Sequence, residues 1–200
     1  MSYAAILDKI LDSKDTTVGG DAASALAGAM ACGLLGMVAR LSLMGEYGLA
    51  DHQYIKLAEE LDGISFRLLR GTQEDVKAYA GVCDAMKLPR ETEEEKDARV
   101  HMIEESGERT AEIAKNNGYL CKRVHKIGLI LRSNSSANTA TDLEVGLSLA
   151  QVGIDGAVGC IKSSLHLIKD EEKKSSLKKD IEELTKSENY YENLYDRSHH

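Results

Sequence analysis

The sequence predicts an all-α, single-domain bundle of about six helices around a buried central helix, and three observations carry that expectation. Across 200 residues proline is used once, phenylalanine once and tryptophan not at all, while alanine, leucine, glutamate and lysine, all good helix formers, recur throughout. Apolar residues repeat at three- and four-residue spacing over long segments. Between Val18 and Leu43 almost every residue is small or apolar, the pattern of a helix enclosed on most sides. Hydrophobic residues at 42% and charged residues at 29% describe a folded chain rather than a disordered one. A formal charge of −8 argues against a nucleic-acid partner, so an anionic ligand needs a local cationic pocket.

In the first helix Ala4, Ile6, Leu7, Ile10 and Leu11 share one face, and S-K-D-T-T ends it. Gly19 and Gly20 then turn the chain into the central helix, with Asp21 or Thr17 placed to cap it. Two rows of small residues, Ser24/Gly28/Cys32/Gly36 and Ala25/Ala29/Gly33, let a neighbouring backbone approach closely. Ala22 to Ala39 is uncharged and as long as a short membrane span. Alanine and glycine are poor hydrophobes, however, and no second comparable run is evident, so the expectation is a core helix and no membrane partner.

A third helix covers Asp51 to Met86, with Leu57, Leu61, Ile64, Leu68 and Val76 at helical spacing, and Leu88-Pro89 ends it. Thr92 with Glu95 is a capping box opening a fourth helix. Its stripe runs through Val100, Ile103, Gly107, Ala111, Ala114, Gly118, Cys121, Val124 and Leu131 to a stop near Ser133. The polar S-N-S-S-A-N-T-A-T-D precedes a fifth helix, Leu143 to Leu167, with Gly146, Gly153, Gly156 and Gly159; a charged sixth runs from Glu171 to Tyr195, folded back by Tyr190, Tyr191 and Tyr195. Residues 1–196 read as one domain, and the terminal R-S-H-H, residues 197–200, as the start of an affinity tag. Helices this rich in glycine and alanine pair tightly, and a homodimer is expected.

Cys32, Cys83, Cys121 and Cys160 form no C-x-x-C pair and have no histidine at zinc spacing. They read as reduced thiols of a cytoplasmic protein, mostly buried. The amphipathic, partly acidic N-terminus reads as a helix rather than a secretory signal. No metal motif, phosphate loop or nucleophile elbow occurs, and neither metal nor cofactor is expected. His52, His101, His125 and His166 are scattered and read as structural. Three places remain for chemistry. Gly19-Gly20 is by itself a turn, but a helix opening behind it can bind an anion or polarised oxygen. Asn138, Thr141 and Asp142 stand at a helix start, where the plain role for Asp142 is N-cap. Asp75 and Tyr79 lie one helical turn apart on the third helix.

Five segments together resemble the cyclodeaminase/cyclohydrolase family: the cyclodeaminase domain of formiminotransferase-cyclodeaminase and the free-standing bacterial methenyltetrahydrofolate cyclohydrolases. They are V-G-G-D-A-A-S-A-L-A-G-A, similar to the family's P-G-G-G-S-x-A-A-L-A-G-A; M-V-A-R-L-S-L; D-V-K-A-Y; K-L-P-R-E-T-E-E-E-K-D-A-R; and N-T-A-T-D, similar to N-x-x-S-D. The resemblance implies an all-helical homodimer in which the glycine turn and the later Asn/Asp segment line a folate cleft near the subunit interface. Asp75, Leu88, Pro89, Asn138, Thr141 (for serine), Asp142 and Lys162 match the pattern. Val18 replaces its proline, Asp21 its third glycine and Ala22 its serine; Met44-Gly45-Glu46 replaces a glycine and two lysines; Ala80 replaces an acid or amide; Cys160 and Ser164 replace asparagines.

Two functions follow from the resemblance. In the first, the chain hydrolyses 5,10-methenyltetrahydrofolate to 10-formyltetrahydrofolate or deaminates the 5-formimino compound. Both reactions need a base and a proton donor, for which Asp142 and Asp75 are the carboxylates at hand. Gly19, Gly20, Asn138 and Thr141 then orient a folate-type ligand, Asp21 makes an acidic pocket for its cation, Tyr79 flanks it, and Arg40, Lys87, Arg90 or Lys162 meets its glutamate tail. In the second, the family frame persists as a ligand-binding or assembly module without turnover, because the lysine pair that would meet folate carboxylates is gone.

Overall fold

The computed structural model describes residues 2–186, which form helices and turns without a β-strand among them. The elements are α1 (Tyr3–Leu11), α2 (Gly20–Leu41), α3 (Asp51–Met86), α4 (Glu93–Arg132), α5 (Ala140–Ser164) and α6 (Glu171–Thr185), with 3₁₀ turns at Ser42–Met44 and Ala137–Thr139. The segments expected to carry Tyr190, Tyr191, Tyr195 and the residues 197–200 lie outside the described residues.

Helices α2 to α5 make an up-down-up-down bundle. Each packs antiparallel on its chain neighbour, and α5 returns antiparallel beside α2. The core is built from Leu35, Val38, Leu61, Leu68, Val124, Ile127, Leu131, Leu147 and Ile161, with the fully enclosed Tyr54 donating its hydroxyl to the Asn134 carbonyl at 2.8 Å. Arg123 forks onto Glu60 at 2.6 and 2.7 Å and ties α3 to α4. Helix α6 lies along α4 and α5 through Leu177 and Leu184, with Tyr119 donating to Asp180 at 2.7 Å.

Start signals were legible. Thr92 Oγ accepts from the Glu95 amide at 3.2 Å, and the Glu95 carboxylate accepts from the Thr92 amide at 3.1 Å, completing the capping box. Other boundaries and faces differ from expectation. Of the α1 face only Ile6 is buried, against Val18 and Ala22, whereas Leu7 and Leu11 face outward at 49% and 74% exposure. Neither Asp21 nor Thr17 caps α2: the N-cap is Gly19, Asp21 is already helical, and the Thr17 hydroxyl donates to Asp15. Asp142 is not an N-cap either, since the 3₁₀ turn starts the helix earlier and places Thr139 there.

A second apolar run does exist. Ala137–Ser164 as well as Gly20–Met44 is long and apolar enough to cross a membrane; in the bundle 67% of the first window and 50% of the second are buried. What these helices bury is close backbone contact. A Cβ on Gly28 or on Gly153 would lie 2.5 Å from the Cys121 sulfur, so α2, α4 and α5 meet only because both positions lack one. The row ending in Gly33 behaves differently: Ala25 and Ala29 are buried, but Gly33 is exposed and has open space around it.

That contrast sets one expectation. Gly153→Ala overpacks the Cys121 contact and lowers stability by about 1–3 kcal/mol, whereas Gly159→Ala, with nothing within 4 Å of the new methyl, raises it by up to about 1 kcal/mol through helix propensity. Chemical denaturation of the two variants reads the difference directly.

Candidate functional site

Polar groups converge where α2 begins. The first backbone amides of α2 have no helical acceptor, so this end offers free N–H groups and the positive end of the helix dipole. Asp21 stands in that first turn, half-buried. Because α3 runs antiparallel to α2, Asp75 arrives opposite it, 5% exposed, and because α5 ends here, Cys160 arrives beside both, 3% exposed. The two carboxylates and the thiol all lie within 4.8 Å of one another. Below them is a cavity of about 10 Å³, lined by Asp21, Ser24, Asp75, Ala114, Asn117 and Gly153. It is the size of one water molecule. Larger concavities of 420–440 Å³ are open grooves elsewhere, lined by groups such as Glu108 with Lys173 and Glu60 with Arg123 that are already ion-paired.

Burial controls the electrostatics of this cluster. Desolvation, reinforced by the negative Asp21, pushes Asp75 up to about 7. Asp21 is raised by its own burial, while a hydrogen bond from Cys160 pulls it partly back. The Cys160 thiol is raised by burial and then by the two carboxylates, which makes it a poor nucleophile. Tyr79, 41% exposed, lies one turn along α3 from Asp75; it is raised by Cys83 first and, more weakly, by Asp21.

The structure brings Asp75, Asp21, Tyr79 and the Gly19-Gly20 turn to one end of the bundle, has Lys162, Lys87 and Arg90 exposed toward that end, and leaves the other predicted residues at the far one. Asp142 precedes Cys160 by 18 residues on α5, about 27 Å along the axis. It therefore sits with Asn138 and Thr141 at the opposite end. Arg40 is at that far end too, paired with Asp62 at 2.5 Å. Lys87, just past the end of α3 and 12 residues beyond Asp75, is exposed and pairs with Asp84 at 3.1 Å. Arg90 is exposed in the α3–α4 turn, and Lys162 is exposed on α5 two residues after the buried Cys160. Cys160 and Asn117 are site residues that sequence reasoning missed. No spacing marks them; the only signal was that Cys160 departs from a resembled pattern.

A helical bundle presenting a small acidic pocket at its glycine turn defines the class, and comparison with known proteins defines the family. Residues 4–183 match the sequence model of the Formiminotransferase-cyclodeaminase family, and the chain belongs to it. It is 28% identical over 148 residues, 74% of this chain and 71% of the relative, to a protein of Methylorubrum extorquens named methenyltetrahydrofolate cyclohydrolase. It also shares its fold, at a TM-score of 0.78 and 20% identity over 92% of this chain and 88% of the other, with the crystal structure of formiminotetrahydrofolate cyclodeaminase from Thermotoga maritima.

The raised Asp75 carries a stability consequence. A carboxyl whose folded value lies near 7 rather than the ordinary 3.8 contributes stability that is complete below the unfolded value and is lost as pH rises through the folded one. Asp75→Asn removes that loss. In chelator-containing buffer its stability advantage over the parent is expected to grow between pH 5 and pH 8 by a few kcal/mol, at about 1.4 kcal/mol per pKa unit; thermal melts at the two pH values check it.

Proposed function

We propose that the chain is a folate one-carbon enzyme that either hydrolyses 5,10-methenyltetrahydrofolate to 10-formyltetrahydrofolate or deaminates 5-formiminotetrahydrofolate. The observation that carries this reading is the family match across residues 4–183, together with retention of Asp75 at the glycine-turn end. The cavity there admits only a water or an ion. A folate must therefore lie outside it, against the Gly19–Asp21 turn and Tyr79, with its cationic one-carbon bridge held near the paired carboxylates.

A homodimer supplies what one subunit lacks. Met30, Met37 and Leu41 are exposed at 55%, 39% and 41% on one stripe of α2 that also carries Gly33, and α5 adds Val145 and Val152 at 45% and 51%. Such a face suits a second copy. A two-fold axis near Gly33 would lay α2 antiparallel on the partner's α2. The partner subunit's Asn138, Thr141 and Asp142 would then come alongside the Asp21/Asp75 end. In that arrangement the partner subunit's Asp142 takes a proton from the attacking water, Asp75 attends the departing nitrogen, and the partner subunit's Asn138 and the partner subunit's Thr141 orient the ring. Four free thiols, three of them buried, fit a reducing cytoplasmic compartment.

The reading as a module without turnover rests on a specific feature: Met44, Gly45 and Glu46 offer no cation to a folate tail, and Arg40 beside them is engaged by Asp62. Purified protein mixed with methenyltetrahydrofolate separates the two. Accelerated loss of its near-ultraviolet absorption, or ammonia release from the formimino compound, is expected; neither signal would leave only the module. Asp142→Asn is expected to lower turnover at least 100-fold, within the usual range for a lost acid–base group, and to leave the melting temperature nearly unchanged; parallel loss of both would reduce Asp142 to a structural role. Gly33→Glu places a charge in the α2 seam and is expected to yield monomer in sedimentation and to abolish turnover with it.

A further inference from the structure

Two side chains in which this chain departs from the resembled family pattern, Asp21 for glycine and Cys160 for asparagine, converge in space on the retained Asp75, with their ligand atoms within 4.8 Å of one another. Each change adds a metal-ligating atom at the same point. From this convergence we infer that Asp21, Asp75 and Cys160 bind one divalent metal ion of the zinc type.

Several observations beyond the cluster support a ligand. Asp75 is 95% enclosed by burial, yet no other described residue donates a hydrogen bond to it, and its carboxyl faces the small cavity. Asn117 lines the same cavity at 8% exposure and also borders the open groove beside Arg67 and Arg70, with no hydrogen bond to a described residue. Asp21 is acted on by burial and the Cys160 thiol, and Asp75 by burial and the negative Asp21, with no lysine, arginine or histidine among the causes. A buried carboxyl facing a half-buried one, with no cationic side chain acting on either, favours a proton or a cation between the two groups. The cavity of about 10 Å³ is lined by Asp21 and Asp75 but not by Cys160, whose sulfur lies within 4.8 Å of their carboxylate oxygens, and it has room for one such ion.

The donor set selects the ion. Two carboxylate oxygens with one sulfur suit zinc or cobalt(II), whereas magnesium and calcium avoid sulfur. Ligand atoms around tetrahedral zinc lie about 3.5 Å apart, so the three side chains need to close by under about an ångström each. On binding, the Cys160 S–H bond breaks, a sulfur–metal bond forms and the proton leaves to solvent; a proton held by the carboxyls leaves with it. No electron is transferred. While the ion is bound, Asp75 is a ligand and no longer exchanges protons, so metal-loaded protein turns over more slowly. That corollary rests on the folate reading, whereas the binding itself does not.

Cobalt(II) added to chelator-treated, folded protein without folate tests the site. The expected result is a near-ultraviolet sulfur-to-cobalt band that saturates at one cobalt per chain and disappears when zinc is added. Cys160→Ser is expected to abolish the band, and Asp75→Asn and Asp21→Gly to weaken binding at least tenfold, with helicity followed by circular dichroism. Should Cys160→Ser fail to fold, Asp21→Gly at the half-buried turn carries the test. Absence of the sulfur band with cobalt in excess overturns the proposal. So does a spectrum of nitrogen ligation alone, as His199 and His200 would give, or binding that none of the three variants weakens. Failure of the folate assay with the band present would remove only the corollary.

Discussion

The Cys121 sulfur, lodged between Gly28 of α2 and Gly153 of α5, sets how closely three backbones approach, and the rest of the molecule depends on that distance. Each interior glycine sacrifices about 1 kcal/mol of helix propensity. The sacrifice is offset by contact that no larger residue permits. Because α2 and α5 touch almost backbone to backbone, the last turn of α5 reaches the first turn of α2, and Cys160 comes to Asp21. The polar end is thus a product of apolar packing.

The same closeness explains how much of the fold was legible. Helices made of apolar periodicity and marked by strong caps, α3 and α4 above all, stand where the sequence places them, because local signals and burial agree there. Where one local signal stood alone it misled. Asp21 and Asp142 are good capping types, but tertiary packing began each helix a residue or more earlier, so both became first-turn residues. Leu7 and Leu11 are apolar and helical, but α1 meets the bundle along a narrow strip that has room for Ile6 and little else.

The site was legible only in part, for a geometric reason. Asp75 and the glycine turn were identified separately, and their meeting requires knowing that α2 and α3 run antiparallel in one particular register. Cys160 lies 85 residues from Asp75 and 139 from Asp21, too far for any spacing rule to connect them. Asp142 shared the family pattern with Asp75, yet one subunit holds them at opposite ends. The proposed cooperation between them would need a second copy of the chain, because one subunit does not bring them together.

The order of the helices also bears on how the bundle is reached. Neighbouring helices α2 and α3, and likewise α4 and α5, pair as hairpins whose connections are nine and seven residues long, while the seam between α2 and α5 joins segments more than a hundred residues apart. Loop closure grows costlier with separation, so most of the chain's entropic burden in folding falls on that seam. It is also the seam with the least side-chain volume to guide it. Two ready-made hairpins must find each other through glycines, and a sulfur atom sets the register.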